Sequence, residues 1–301
     1  MSLTQLEESV LESLRQEKSP PQPTGDERSD WVSFGLSVAL QAARLLRSNG
    51  PNVDVGEVDL KNDGSPVTEL DREVEEMVRT ALAAIHPNAA VMGEEGGGEL
   101  PATGPAVAID PVDGTWAYVS GTGTAATTLA VFDDGVPFLG VVSNPSTGEV
   151  AYGVGGGEAR LIQLAVFGEA DRAYRLPLGG ADPSKVLVNI QPSLKAQPTI
   201  NALFEAWDQR RIQYVRSPGG SPVWSLLEVA KGRFSYVNLW SDRPAEAYDL
   251  AAGVLLVRAA GGEVVGMDGE PIDSVRHAGP FVAAMQPASR SILLDIVRRV
   301  V

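Results

Sequence analysis

The sequence predicts a layered α/β or α+β sandwich, and three observations point that way. Segments with helical periodicity alternate with short apolar runs of strand length along most of the chain. No repeat of solenoid type is visible along the chain. The 301 residues, 44% of them hydrophobic, suffice for a large core divided over two units, at roughly 100–200 residues per unit.

Leu3, Leu6, Val10, Leu11 and Leu14 recur at helical spacing until Ser19-Pro20-Pro21-Gln22-Pro23 breaks the pattern. They predict a short, loosely docked arm followed by a linker, with an oligomerisation arm as the alternative. With Asp30 as N-cap, the run through Val38, Ala42, Ala43, Leu45 and Leu46 predicts an amphipathic helix stopped by Asn49-Gly50-Pro51. A second helix is expected after Thr68, turning Val74, Met77, Val78, Leu82 and Ile85 inward until His86-Pro87. Strands are expected at 89–92, 106–109, 127–132, 138–142 and 150–152, with Asp133-Asp134-Gly135 as a hairpin turn. Strands at 186–190, 212–215 and 234–238 follow, with a helix near 223–230. A final helix is expected from Ser241-Asp242-Arg243-Pro244 to Gly261-Gly262, because proline suits a first turn and glycine the position past the last. The expected organisation is an arm and linker over 1–29, an N-terminal α+β domain over 30–155 and a C-terminal α/β domain over 156–301.

Composition narrows the chemistry. There is no cysteine, so disulfides, thiolate metal sites and cysteine nucleophiles are excluded. The two histidines, His86 and His277, stand in unrelated contexts, so catalysis is expected to rest on carboxylates. A net charge of −15 disfavours nucleic acid polymers and anionic membranes as partners. No run of about 18 apolar residues and no signal-peptide pattern is visible, so the expected location is cytoplasmic.

The most informative segment is Ala106-Val107-Ala108-Ile109-Asp110-Pro111-Val112-Asp113-Gly114-Thr115. An apolar strand runs into two carboxylates three residues apart, and Pro111 is expected to end the regular strand so that both acids converge beyond the sheet edge. Gly114 permits close backbone approach, and free N–H groups after it would accept an anion. Carboxylates beside an anion-binding turn conflict unless a cation lies between them. A hard divalent metal with oxygen ligands resolves the conflict, and Mg²⁺ shares its shell among carboxylates, water and phosphate. Further acids stand in Gly93-Glu94-Glu95-Gly96 and at Asp249 in Tyr248-Asp249-Leu250-Ala251-Ala252-Gly253.

Taken in order, Lys61…Ser65-Pro66-Val67-Thr68…Asp71, then Gly93-Glu94-Glu95, then Asp110 to Thr115, then Asp249 to Gly253 with Ala260-Gly261-Gly262, resemble the inositol monophosphatase family over roughly residues 30 to 290. That superfamily includes fructose-1,6-bisphosphatases, bisphosphate nucleotidases and some histidinol-phosphate phosphatases. The resemblance implies alternating α-β-α-β-α layers and a Mg²⁺-dependent phosphoric monoester hydrolase. It implies two to three Mg²⁺ per site, with Mn²⁺ as a substitute: one ion on Glu94, Asp110 and the Val112 carbonyl, a second on Asp110, Asp113 and Asp249, and a weaker third near Glu94. It also implies phosphate on the N–H groups of Gly114 and Thr115, and a metal-activated water oriented by Glu94 and Thr115 with Asp71 behind Thr115. Lys61 and Thr68 are implied as accessory residues. Asp113, Asp242, Gly219, Gly220 and Ser221 are implied as substrate contacts. Lithium sensitivity and a homodimer follow from the same resemblance.

The sequence departs from the family at Trp116-Ala117-Tyr118, where a small or polar residue, an asparagine and a phenylalanine are common, and at Tyr248, where tryptophan is common. Trp116 either crowds the substrate mouth or packs in the core. Pro218 and Pro222 around the glycine-rich segment argue against inositol phosphate itself as substrate. The candidates are a small polyhydroxylated phosphate monoester, histidinol phosphate, fructose 1,6-bisphosphate or a 3′-phosphonucleotide, and the reading from another class is a noncatalytic metal- or metabolite-binding relative. Haloacid-dehalogenase-like phosphatases place their two aspartates two residues apart, unlike Asp110 and Asp113. No GxxxxGK[ST] loop occurs, and Gly153-Val154-Gly155-Gly156-Gly157-Glu158 lacks the last glycine of a dinucleotide fingerprint, so a turn is expected there.

Overall fold

The computed structural model describes residues 2–15, 25–50, 58–62, 64–164, 171–179, 186–191, 196–239 and 244–300. The linker expected at 19–23 and the residues Ser241, Asp242 and Arg243 lie outside them. Helices α1 (Leu3–Arg15), α2 (Glu27–Asn49) and α3 (Glu69–Ile85) cover one face of a seven-stranded sheet. Its strands lie in the order β3 (Ala90–Gly93), β4 (Pro105–Asp113), β5 (Ala126–Asp133), β6 (Val136–Asn144), β7 (Glu149–Val154), β8 (Ala159–Gln163) and β9 (Arg172–Arg175). The β3–β4 pair is parallel and the others are antiparallel. A two-stranded pair, β1 (Asp59–Leu60) and β2 (Pro66–Val67), leads into α3. A five-stranded sheet has the order β11 (Tyr214–Arg216), β10 (Leu187–Gln191), β12 (Ser235–Asn238), β14 (Phe281–Ala284) and β13 (Glu263–Gly266). Helices α6 (Pro222–Ala230) and α7 (Ala247–Ala259) lie between the sheets, and α5 (Gln197–Asp208) and α8 (Pro287–Arg298) cover the outer face.

The five layers follow from strand alternation. Val107, Ile109, Leu129 and Val131 face Trp31, Phe34, Leu40 and Leu82, whereas Ala106, Ala108, Ala130 and Phe132 face α6 and α7. Successive side chains point to opposite faces, and helices on both sides make both faces apolar. The second sheet repeats the arrangement: Tyr236, Phe281 and Ala283 join the middle layer, and Val188, Val237 and Val282 pack on Leu203, Leu293 and Val297. The expected hairpin turn forms between β5 and β6, with Asp134 at φ 48° and Gly135 at φ 75°. Strands β8 and β9 pair beyond β7, so the large sheet continues past the expected boundary at 155/156.

Several elements differ from the sequence reading. Helix α2 begins at Glu27, because the Asp26 carboxylate accepts the Ser29 N–H at 3.1 Å and also takes the Ser29 hydroxyl, which leaves Asp30 in the first turn. Helix α7 starts at Ala247, where Glu246 and Asp249 cap one another. Strand β4 runs through Pro111 to Asp113, with an irregular register against β5 between Asp110 and Asp113. Helix α8, not α7, is the last helix among the described residues, and α5, β8, β9, β13 and β14 carry patterns too short or too weak for the sequence reading. The glycine-rich run at 153–158 does form a turn, between β7 and β8.

The arm docks firmly. Leu6, Val10 and Leu11 are buried on the core beneath α2, and Glu7 is 1% exposed. Its carboxylate accepts Arg160 Nε at 2.6 Å and Nη2 at 2.7 Å, and the Tyr152 hydroxyl at 2.9 Å. Removing one partner of a buried ion pair strands the other. Glu7→Ala is expected to destabilise the protein by on the order of 3 kcal/mol, read as a lower Tm in a thermal melt.

Candidate active site

Strand β4 carries two buried acids side by side. Asp110 is 2% exposed, and its Oδ1 accepts the Val112 N–H at 3.0 Å. Asp113 accepts the Ser221 hydroxyl and, at 3.1 Å, the Val223 N–H, so the N-terminus of α6 holds it from the other sheet's side of the molecule. Gly114 follows at φ 85°, left-handed backbone where a side chain is strained, and a Cβ there would lie 2.8 Å from the Ser221 nitrogen. The turn between β4 and α4 (Thr115–Val119) is therefore shaped by close approach of the 219–221 segment.

Three further segments converge on these acids. The loop after β3 brings Glu94, whose N–H donates to the Ile109 carbonyl at 3.1 Å and whose carboxylate is close enough to Asp110 to raise it. The first turn of α7 brings Asp249, close enough to raise both Asp110 and Asp113 electrostatically. The first turn of α3 brings Asp71, whose Oδ2 accepts the Thr68 N–H at 2.8 Å and the Thr68 hydroxyl at 2.5 Å. The other oxygen of Asp71 faces the Thr115 hydroxyl at 3.4 Å, and that hydroxyl also lies 3.2 Å from the Val112 carbonyl.

Concentrating acids where water is excluded disfavours their charged forms. Burial, then Glu94, Asp113 and Asp249, pushes Asp110 well above the usual carboxylate range. Burial pushes Asp113 up to about 7, the Ser221 hydroxyl opposing it and Asp249 adding to it. Asp71 is raised by burial, against the two hydrogen bonds from Thr68. Like charges about 4 Å apart repel by roughly 1–4 kcal/mol per pair at effective dielectric constants between water and a protein surface. Lys61 partly answers this charge: its Nζ contacts Glu94 Oε1 at 2.9 Å and Glu95 Oε1 at 2.6 Å. Burial would lower the lysine, but the bonds to Glu95 and Glu94 prevail and hold it above its ordinary value.

The donor set suits a hard divalent cation: oxygens only, mostly carboxylate, with the Val112 carbonyl between Asp110 and Asp113. No three His, Asp or Glu side chains among the described residues stand in ready ligating geometry, since Lys61, Ser221 and the backbone N–H groups hold the acids. His86 stacks on Trp31 with ring centroids 3.6 Å apart, and His277 pairs through its backbone with Ala245.

Among the implied substrate contacts, Gly219 and Gly220 have positive φ, and Gly220 packs on Ala117 and Thr124. Ser221 is wholly buried and caps α6 by accepting the Trp224 N–H at 2.7 Å, so its hydroxyl stands behind Asp113. Asp242 lies outside the described residues. Trp116 is 48% exposed and so does not pack in the core, whereas the Tyr118 hydroxyl donates to the Leu46 carbonyl at 2.6 Å. The sequence reading missed Glu75, a buried acid on α3 that meets the loop of Glu94. Its signal was an acid set beside Val74 within an apolar stripe, four residues after Asp71.

The model of the inositol monophosphatase family matches residues 27–300. A histidinol-phosphatase of Mycobacterium tuberculosis is 30% identical over 263 residues, covering 84% of this chain and 93% of the relative. An inositol-1-monophosphatase of Mesorhizobium japonicum is 28% identical over 275 residues, covering 88% and 96%. An inositol monophosphatase structure from Thermotoga maritima superimposes with a TM-score of 0.73 at 24% identity, covering 90% of this chain and 98% of that one, and shares the fold. The layered fold and these relatives define a phosphatase, a hydrolase acting on small phosphorylated substrates. The chain belongs to the inositol monophosphatase family, whose members are generally metal-dependent.

Ser221→Ala removes a donor from buried Asp113 and a cap from α6. It is expected to destabilise the protein by about 1–3 kcal/mol, read as a lower urea midpoint with an unchanged slope.

Proposed function

We propose that the protein hydrolyses a phosphate monoester on a small polyhydroxylated metabolite, with Mg²⁺ as the working cation. The observation that carries this reading is the convergence of Glu94, Asp110, Asp113 and Asp249 from three distant stretches, with Asp110 and Asp113 raised by burial and by the neighbouring acids. Glu94, Asp110, the Val112 carbonyl, Asp113 and Asp249 would hold two to three Mg²⁺. Bound Mg²⁺ neutralises phosphate charge and makes water more acidic.

The protein's own groups then divide the work. Asp71, anchored by Thr68, holds the Thr115 hydroxyl in place. Glu94 and Thr115 orient a water molecule, and the N–H groups of Gly114 and Thr115 receive phosphate oxygens. The water oxygen bonds to phosphorus as the ester P–O bond breaks; the electron pair leaves with the alkoxide oxygen, which takes up the proton that the attacking water gives up. Alcohol and inorganic phosphate result, and positioning with electrostatics accounts for the catalysis.

Histidinol phosphate is the second reading, favoured by the 30% identity to a histidinol-phosphatase and by the exposed Trp116 one residue past the phosphate turn, able to stack on an imidazole. Fructose 1,6-bisphosphate and 3′-phosphonucleotides complete the panel. Asp113 and Asp242 with Gly219 and Gly220 are the proposed substrate contacts. A homodimer, a cytoplasmic location and lithium inhibition are part of the same proposal; among the described residues no helix is long and apolar enough to cross a membrane.

Phosphate release from inositol phosphate, histidinol phosphate, fructose 1,6-bisphosphate and a 3′-phosphonucleotide, with and without Mg²⁺, tests the reading. Release from at least one ester only with Mg²⁺ is expected, and flat wells throughout would refute it. Asp110→Asn is expected to lower release by on the order of 10³-fold without lowering the Tm of the metal-free protein. Mg²⁺ at about 100 times its Kd is expected to raise the Tm by roughly 5–10 °C, because it binds only the folded acid cluster.

A further inference from the structure

Helix α3 contributes more than Asp71. Asp71, Glu75 and Arg79 recur at intervals of four and lie along one face of the helix. Glu75 is 3% exposed, an unusual setting for a carboxylate, and both its oxygens are occupied. Oε2 accepts the Glu95 N–H at 2.9 Å, and Oε1 accepts the Gly96 N–H at 2.9 Å. Arg79 backs the pair: its Nε lies 2.8 Å and its Nη2 2.7 Å from Glu75 Oε1, and Nη2 also donates to the Gly97 carbonyl at 2.9 Å. Three consecutive residues after Glu94 are thus tied to α3 through one carboxylate–guanidinium unit.

The loop is shaped to receive that carboxylate. A Cβ added at Gly93 or at Gly96 would collide with the Glu75 carboxyl group, and at Gly96 it would also come within 2.8 Å of Arg79 Nη2. Gly93 in turn donates its N–H to the Gly97 carbonyl at 3.0 Å, closing the loop, and the Glu94 N–H is held by Ile109, the residue before Asp110. Glu94 therefore sits between a fixed point on β4 and a fixed point on α3. Among the described residues its side chain meets Lys61 and lies near Asp110, and the backbone placement of the loop sets where that carboxylate starts from.

We propose that Glu75, braced by Arg79, is a positioning residue for the metal-dependent reaction: it sets the backbone that presents Glu94 to the cation. The inference rests on the reading of Glu94 as a metal ligand. Glu75 touches neither cation nor substrate. A carboxylate is required because two converging N–H donors and a guanidinium all need acceptor oxygens, and an amide would turn an N–H₂ group toward one of them. Outer partners of metal ligands change metal affinity or activity by about 10–100-fold when removed.

The test compares the full-length parent, Glu75→Gln, Arg79→Gln and the remote, destabilised Glu7→Ala by Mg²⁺ titration calorimetry, with Tm, kcat and KM measured on the same preparations. Expected is a Mg²⁺ Kd raised about 10–100-fold in Glu75→Gln and by a smaller factor in Arg79→Gln. The half-activating Mg²⁺ concentration should rise in parallel, and the substrate KM at saturating Mg²⁺ should stay near the parent value. Glu7→Ala should lose Tm and keep the parent's Mg²⁺ affinity. Unchanged Mg²⁺ affinity in Glu75→Gln overturns the inference, and if that variant does not fold, unchanged affinity in Arg79→Gln does so. A parent that takes up no Mg²⁺ and releases no phosphate overturns the metal reading itself, a different result from a parent that binds Mg²⁺ alongside variants that bind it equally well.

Discussion

Four carboxylates gathered in a space largely closed to water repel one another and resist charging, and much of the surrounding structure answers that strain. Each acid has donors of its own: Lys61 on Glu94, the Val112 N–H on Asp110, the Ser221 hydroxyl and Val223 N–H on Asp113, and the Glu246 N–H on Asp249. These bonds offset part of the repulsion among the acids. Without them the acid cluster would open the core, because no apolar contact replaces the lost solvation.

The layered fold serves this cluster by bringing element ends together. The acids of β4 lie where the large sheet meets the middle helical layer, so α6 and α7 reach them from one side and α3 from the other. Helix starts are suited to the task, since their free N–H groups receive carboxylates and the local dipole favours negative charge. Asp71 and Asp249 both stand at the third position of their helices, bonded back to the N-cap residue, and both face Asp110 to Thr115. One local device, used twice, delivers two acids to one place.

Rigid support is unevenly distributed around the cluster. Asp110 and Asp113 belong to β4, an inner strand that pairs with β5 at both acids, whereas Glu94 stands on a loop beyond β3, the edge strand of the large sheet. That loop has the least sheet to hold it, and there a buried acid and arginine from α3 take over the backbone N–H groups. The opposite end of the same sheet is secured by the arm, through Glu7 on Arg160 and Tyr152.

Local pattern determined a good part of this protein. The apolar stripe and Thr68 cap mark α3, the Asp134-Gly135 turn marks the β5–β6 hairpin, and the spacing from Asp110 to Thr115 marks the chemistry, because each depends on neighbours a few residues away. Tertiary structure alone decided which distant donors reach the acids. Ser221 lies 108 residues from Asp113, and Glu75 lies 20 from Glu95, so neither pairing leaves a local trace. It also decided that the strand continues through Pro111 and that the arm is pinned by a buried ion pair. Periodicity records which face of an element is apolar; the partner that face meets, and the polar atom waiting there, exist only once distant segments have packed.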